Sequence, residues 1–244
     1  MMKAERTQQE YYTRTAHLYD DMHVHIDDEH YVALQYVSGL ISQLGIASVL
    51  DVGCGTGRGI KYLLERNPEV RVHGIDPVKA LLQQASGRNL IPANFMSLAS
   101  GEALPFADQS FDASCELGVL HHVREPNRVV QEMMRVSKKA IFLSDENRFA
   151  HGKMFSRWAK LALCNLGIFR GGYFIKTRGK GHRWTEGDGL AYSYSVFDSF
   201  KVLSDWGDRV ILIPTDNVKP QSRFHPLLTS FHVLLCAIRQ QGPE

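Results

Sequence analysis

The chain has 244 residues, with 28 Lys and Arg against 26 Asp and Glu, a formal net charge of +2, 44% hydrophobic and 22% charged residues. That is ordinary globular usage, and it excludes a disordered or fibrous chain and gives no sign of a dense basic face for nucleic acid. No apolar run approaches the roughly 18 residues of a membrane span, and the polar opening MMKAERTQQE lacks the apolar middle of a secretory leader. A cytoplasmic protein with no nucleic-acid partner is therefore expected, its oligomeric state (a homodimer included) left open. Cys54 reads as a loop residue and Cys115, Cys164 and Cys236 as buried ones, since no C-x-x-C pair occurs.

Residues 1–46 read as an N-terminal helical arm. Tyr11, Tyr12 and Tyr19 stud its polar opening and suggest a short helix that packs on or closes over something. After a cap at Asp27 or Asp28, Leu34, Val37, Ile41 and Leu44 recur at helical spacing until Gly45. From Ala47 the period changes. SVLDVG and RVHGID read as strands around the helix RGIKYLLERN; PVKALLQQA follows as helix, 93–98 as a weak third strand, 111–117 as a fourth, PNRVVQEMMRVS as helix and KAIFLSDE as a fifth strand. This alternation over 47–147 predicts an α/β fold, a Rossmann-like and mostly parallel sheet with helices on both faces. Residues 148–208 form an insertion rich in aromatics and glycine, far longer than the usual connection of about two to six residues. Within 209–244, RVILIPT and SFHVLLCAIR read as antiparallel strands at the sheet edge. No linker calls for a second domain.

The sharpest signal is VLDVGCGTGRG, which places Gly53, Gly55, Gly57 and Gly59 directly after a strand and at the start of a helix. Glycines there allow positive φ and close approach of a ligand to the backbone, beside the unpaired N–H groups of a helix start. A dinucleotide fingerprint G-x-G-x-x-G fails, because Arg58 and Ile60 stand where the third glycine belongs, and no phosphate-loop Lys-Ser/Thr pair follows.

D-V-G-C-G-T-G resembles the first motif of class I S-adenosylmethionine-dependent methyltransferases, and GEALPFADQSFD, ELGVLHHV and EMMRVSKKAIFLSD extend the resemblance over most of 48–147. It implies S-adenosylmethionine as cofactor and S-adenosylhomocysteine as product. The cofactor-binding candidates are then Asp51, Gly53, Cys54, Gly55 and Gly57 in the loop, Asp76 and Pro77 after the second strand, Ser100, Gly101 and Glu102, and Glu116 and Leu117 at the end of the fourth strand. Asp76, about twenty residues past the loop, is placed to accept both ribose hydroxyls. Ser100 departs from the family, which commonly has aspartate there; a serine hydroxyl makes a weaker bond to adenine's amino group. Leu98 or Leu81 is an apolar wall for the ring.

Methyl transfer from a sulfonium is an in-line displacement helped by alignment and exclusion of water. A hydroxyl acceptor must also lose its proton, so His121 and His122, at the carboxyl edge of the sheet, are the candidate bases, with Asp145 orienting one of them. The candidate acceptor-binding residues are Tyr12 and Tyr19 from the arm and Arg183, Trp184, Glu186 and Asp188 from the insertion. The HVHIDDEH run (His23, His25, Asp27, Asp28, His30) reads as a capping loop rather than a metal site, and residues 176–183 as a solvated basic loop. No [DN]-P-P-[YF] box marks a nucleic-acid amine methylase, and no amphipathic membrane stripe stands out. The expected reaction is O-methylation of a sugar or natural-product hydroxyl; carbon or nitrogen transfer to a small molecule, or cofactor binding without catalysis, is the alternative.

Overall fold

A computed structural model describes residues 3–25, 28–89, 91–185, 187–216, 218–220 and 222–240. The arm supplies α1 (Lys3–Thr15), α2 (Tyr19–His23) and α3 (Glu29–Gln43). α3 begins where expected, with the Asp28 carboxylate accepting from the Tyr31 N–H at 2.7 Å. Asp27 lies outside the described residues.

The central strands are apolar on both sides, the pattern of a parallel sheet covered on both faces. β1 (Ser48–Val52) is buried at all five positions. It is followed by α4 (Arg58–Arg66), β2 (Arg71–Asp76), α5 (Lys79–Gly87), β3 (Met96–Leu98), β4 (Phe111–Leu117), α6 (Pro126–Val136) and β5 (Ser137–Glu146). The insertion folds into α7 (Met154–Asn165), α8 (Phe169–Lys176) and a hairpin of β6 (His182–Thr185) and β7 (Gly189–Tyr192); α9 (Phe200–Trp206), β8 (Arg209–Pro214) and β9 (His232–Ile238) follow.

The seven-stranded sheet has the order β3-β2-β1-β4-β5-β9-β8. β1 to β5 are mutually parallel, β9 is antiparallel to β5, and β8 is antiparallel to β9. The expected C-terminal pair is therefore present, but only β8 is an edge strand: β9 is wedged inside the sheet and alone runs against it. α3 and α4 cover one face through Leu34, Val37, Ile41, Ile60 and Leu63. α6 and α9 cover the other through Val130, Met133, Leu203 and Trp206. β1 alternates between the layers, with Val49 in the first and Leu50 in the second.

Three expectations are corrected. Residues 93–95 form a 3-10 turn, closed by the Phe95 N–H on the Pro92 carbonyl at 2.9 Å, so the third strand is only 96–98. α9 is not loop: Leu203 and Trp206, three residues apart, turn one helical face onto the sheet, making α9 the crossover into β8. Cys164 is partly exposed on α7, whereas Cys54, Cys115 and Cys236 are buried.

The switch in strand order lies between β1 and β4, whose carboxyl ends face the same edge as those of β2 and β5. Ligands of open α/β sheets bind in the crevice at such a point.

Candidate active site

The turn after β1 is stitched to the end of β2. The N–H groups of Gly53 and Cys54 both donate to the Ile75 carbonyl, at 2.8 and 2.9 Å, and the Gly55 N–H donates to Asp76 Oδ2 at 3.0 Å. Two glycines are required by this path. Gly53 has φ +79°, and a Cβ there would stand 2.5 Å from Val119 Cγ2; Gly57 has φ +85°, and a Cβ would stand 2.1 Å from Ile91 Cδ1.

Asp76 is buried, and its Oδ1 accepts from the Val78 N–H at 2.7 Å. Each carboxylate oxygen thus spends one lone pair on backbone and keeps another for a ribose hydroxyl. Burial pushes this carboxyl up to about 6, against the pull of the two backbone donors. Asp51 beneath the loop is pushed up to about 7 by burial, and its Oδ2 has no hydrogen-bond partner. Glu116 is likewise buried: Oε2 accepts from the Val119 N–H at 3.0 Å, while Oε1 has no partner. Burial, and then the charge of Asp145, raise its carboxyl well above the usual range.

Leu98 pairs in register with Asp76 and is exposed, whereas Leu81 is core. Ser100 Oγ accepts from the Glu102 N–H at 3.3 Å, and a Cβ on Gly101 would stand 3.0 Å from Val52 Cγ1, so this turn is pressed against the end of β1. Pro77 is exposed beside Asp76, and Leu117 is half-buried at the end of β4. A glycine cradle, a carboxylate with spare lone pairs, an exposed leucine and two orphaned buried carboxylate oxygens fit an adenosyl group with its ribose diol and a cationic amino-acid end.

Beyond this cradle, the 3-10 turn Leu120–His122 follows β4, and Asp145 at the end of β5 organises it. Asp145 Oδ2 accepts from the N–H groups of Leu120 and His121, at 2.8 and 3.2 Å, and Oδ1 lies 2.8 Å from His121 Nδ1. His121 Nε2 is 3.5 Å from Asp188 Oδ2; His122 Nε2 is 3.2 Å from Asp188 Oδ1. Burial alone would lower the His121 pKa, but the two carboxylates override it and hold the ring well above its usual value. Burial likewise opposes ionisation of Asp188 and Asp145, yet the imidazoles keep both carboxyls below the usual range. His121 is accordingly an imidazolium with both ring nitrogens donating.

His122 is held differently. Its Nδ1 lies 2.7 Å from the Leu190 carbonyl, and its Nε2 lies 3.1 Å from the Tyr12 hydroxyl. The arm closes over this corner. Gln8, one helical turn before Tyr12, contacts His122 Nδ1 at 3.2 Å and accepts from the Leu190 N–H at 2.6 Å. Tyr12 packs edge-on to Tyr19, whose ring lies 3.6 Å from where a Cβ of Gly55 would be. Asp20 in α2 accepts from Thr56 Oγ1 at 2.5 Å, and Asp28 pairs with Arg58 at 2.5 Å, so the arm clamps the glycine loop as well.

The structure thus gathers Tyr12, Tyr19, His121, His122, Asp145 and Asp188. Arg183 and Trp184 sit apart on the outer strand β6, where Trp184 packs edge-on to Tyr11, and Glu186 lies outside the described residues. The HVHIDDEH histidines do not converge: His30 Nδ1 turns to Ser144 Oγ at 3.3 Å, and its neighbours are Glu29 and His232, whose Oε1 and Nε2 are 3.3 Å apart. Gln8 and His232 escaped the sequence reading. Gln8 carries a signal, its four-residue spacing from Tyr12 on one helix face; His232, some two hundred residues from His30, carries none. A cavity of about 730 Å³ borders Val123, next to His122, and is lined by Arg148, Phe169, Arg170, Tyr173 and Tyr192.

A crevice at the strand-order switch, lined by a glycine turn and a carboxylate for a ribose diol, defines a nucleoside-cofactor domain of the class I methyltransferase type. Comparison with known proteins agrees: residues 50–143 match the methyltransferase domain family. The chain carries a class I S-adenosylmethionine-dependent methyltransferase domain, and S-adenosylmethionine is its cofactor. It is 33% identical over 122 residues to tRNA (carboxymethyluridine(34)-5-O)-methyltransferase of Schizosaccharomyces pombe, covering 48% of this chain and 50% of that protein. The Saccharomyces cerevisiae enzyme of the same name is 29% identical over 56% of this chain and 46% of its own length. The chain thus spans about half the length of these curated relatives. The fold is that of magnesium protoporphyrin IX methyltransferase from Synechocystis with bound S-adenosylmethionine (TM-score 0.60, 15% identity, 98% of this chain and 99% of that one). It is shared by Burkholderia thailandensis 1,6-didemethyltoxoflavin-N1-methyltransferase (TM-score 0.58, 15% identity, 97% and 89%). Among the described residues, no helix is long and apolar enough to cross a membrane.

Proposed function

We propose that this protein transfers the methyl group of S-adenosylmethionine to an oxygen of a small polar acceptor, a sugar or natural-product hydroxyl, with His122 receiving the acceptor's proton. The observation that carries this reading is the placement of His122, whose ring is held by the Leu190 carbonyl with Nε2 facing the corner between Tyr12 and Asp188. Its Nδ1 lies 2.7 Å from that carbonyl, and a protonated Nε2 donates to the Asp188 carboxylate; the ring receives a proton at Nε2 only when it is neutral and the acceptor takes the place of Asp188. An acceptor hydroxyl standing where Asp188 Oδ1 now lies, 3.2 Å from Nε2, is within reach for proton transfer.

The cofactor, when bound, supplies an electrophilic methyl whose departure leaves a neutral thioether. Asp76 holds the ribose hydroxyls, the backbone of Gly53, Gly55 and Gly57 lines the cradle, Leu98 and the turn 100–102 meet the adenine, and Asp51 and Glu116 face the amino-acid end. His121, already doubly bonded to carboxylates, fixes the corner and balances its charge instead of taking a proton. Tyr12 and Tyr19 exclude water from this corner.

A second reading rests on Asp188 itself: one carboxylate already seats an oxygen on each Nε2 of His121 and His122, as an acceptor carboxylate would. Such an acceptor needs no base. Incubation with labelled cofactor and a panel of hydroxyl, carboxylate and bulk-tRNA acceptors separates the readings, because a methyl ester is released by mild alkali and a methyl ether is not. His122→Ala is expected to lower kcat about 10²–10⁴-fold for a hydroxyl acceptor, with cofactor affinity unchanged. Full turnover in that variant would remove the base, and absence of binding of either S-adenosyl compound in calorimetry would overturn the whole reading.

A further inference from the structure

The insertion carries a feature that methyl transfer does not use. Residues 148–185 contain nine of the chain's 28 Lys and Arg and no Asp or Glu, which leaves 19 Lys and Arg against 26 Asp and Glu in the remainder. A near-neutral total therefore hides a segregated one. Most of this segment is the helical pair α7–α8, and neither helix has a single buried residue, although their sequences MFSRWAKLALCN and FRGGYFIK are rich in large apolar side chains. Phe155 is 87% exposed, Ile175 78%, Leu166 71% and Ile168 55%. Lys153, Arg170, Lys176, Arg178, Lys180 and Arg183 share the segment; all are exposed, and none joins an ion pair among the described residues.

We infer that α7–α8 docks this protein on an anionic lipid surface, lying in the headgroup region with its aromatic and aliphatic side chains in the acyl boundary. Two requirements meet here: apolar groups that water leaves unpaid, and cations to meet acidic headgroups. RNA would satisfy the cations with its phosphates and could stack a base on Phe155, yet it offers the aliphatic Leu166, Ile168 and Ile175 no apolar phase to enter. A second copy of this surface would bury the apolar residues but press its six exposed cations against six. The pair is too short and too charged to span a bilayer, so it lies on the membrane. The inference is independent of the acceptor and of catalysis.

Flotation with vesicles of phosphatidylcholine alone, or of phosphatidylcholine with phosphatidylglycerol, tests it on the full chain. At low salt, binding to the acidic vesicles is expected to exceed binding to neutral ones by at least about tenfold. The surface variants Phe155→Ser/Leu166→Ser/Ile175→Ser and, separately, Lys153→Glu/Lys176→Glu/Arg178→Glu should each cut it by about tenfold or more, while affinity for S-adenosylhomocysteine and the circular dichroism spectrum stay unchanged. No binding to acidic vesicles overturns the inference. So does binding that bulk tRNA displaces and the serine variant leaves intact, which marks a polyanion site, or concentration-dependent dimerisation that the serine variant abolishes.

Discussion

Asp76 and the two constrained glycines are where single side chains decide the cofactor site. Asp76→Asn keeps the shape but loses a charged acceptor, and charge-assisted bonds are roughly twice as strong as neutral ones; calorimetry should show S-adenosylhomocysteine affinity falling by about tenfold or more. The pH dependence follows from its raised pKa of about 6. A ribose diol favours the ionised carboxyl, so affinity should be full above that value and decline as pH falls through it, and Asp76→Asn should flatten the curve. Gly53→Ala places a methyl 2.5 Å from Val119 Cγ2 at φ +79°, so a loss of about 1–3 kcal/mol in denaturant unfolding is expected. These residues were legible because a glycine turn and a carboxylate at fixed spacing are local signals. The His-His pair and Asp145 were legible as strand-end residues, but not their different partners: that His121 is held between two carboxylates while His122 is held by a backbone carbonyl and the arm depends on Asp188 and Leu190, which approach from nearly seventy residues away.

At the level of elements, the alternation of periods 2 and 3.6 gave the parallel core from β1 to β5, since each element there buries its own apolar stripe. The insertion resisted the same reading. α9 is only seven residues long, too short for periodicity to separate it from loop, and α7–α8 have apolar residues that no core receives, so their pattern has no buried face to announce. The membrane docking inferred at α7–α8 departs from the expectation that no membrane-facing stripe stands out, and the vesicle experiment decides between them. The arm was foreseen as something that packs or closes; α1 does so by placing Gln8 and Tyr12 on His122. Removal of residues 1–15 should leave a folded chain that still binds S-adenosylhomocysteine, because α2 clamps the glycine loop separately. Its kcat should drop by about tenfold or more as water enters the corner, and stopped-flow comparison with Gln8→Ala would separate loss of the lid from loss of one hydrogen bond.

For the molecule as a whole, buried acids set the pH profile of stability. Asp51 and Asp76 have pKa values raised to about 7 and about 6, so the folded state holds more protons than the unfolded one between about pH 4 and 7, and the cofactor-free fold weakens as pH rises through that window. His121, also raised, adds stability that is complete below its ordinary value and is lost as pH climbs through the elevated one. Asp145 and Asp188 are lowered, so their contribution disappears only under stronger acid. The melting temperature of the cofactor-free protein should therefore be highest near mildly acidic pH and fall towards pH 8, and Asp51→Asn should shrink that fall; a rise over the same range would contradict the assignment.

The bond between Gln8 and the Leu190 N–H joins positions 182 residues apart. At ribosomal speeds of roughly 5–20 residues per second, its two halves are synthesised about 10–40 s apart. Throughout that interval the nascent amino-terminal helix waits beside the parallel strands β1 to β5, which are made before the hairpin that joins it over the corner.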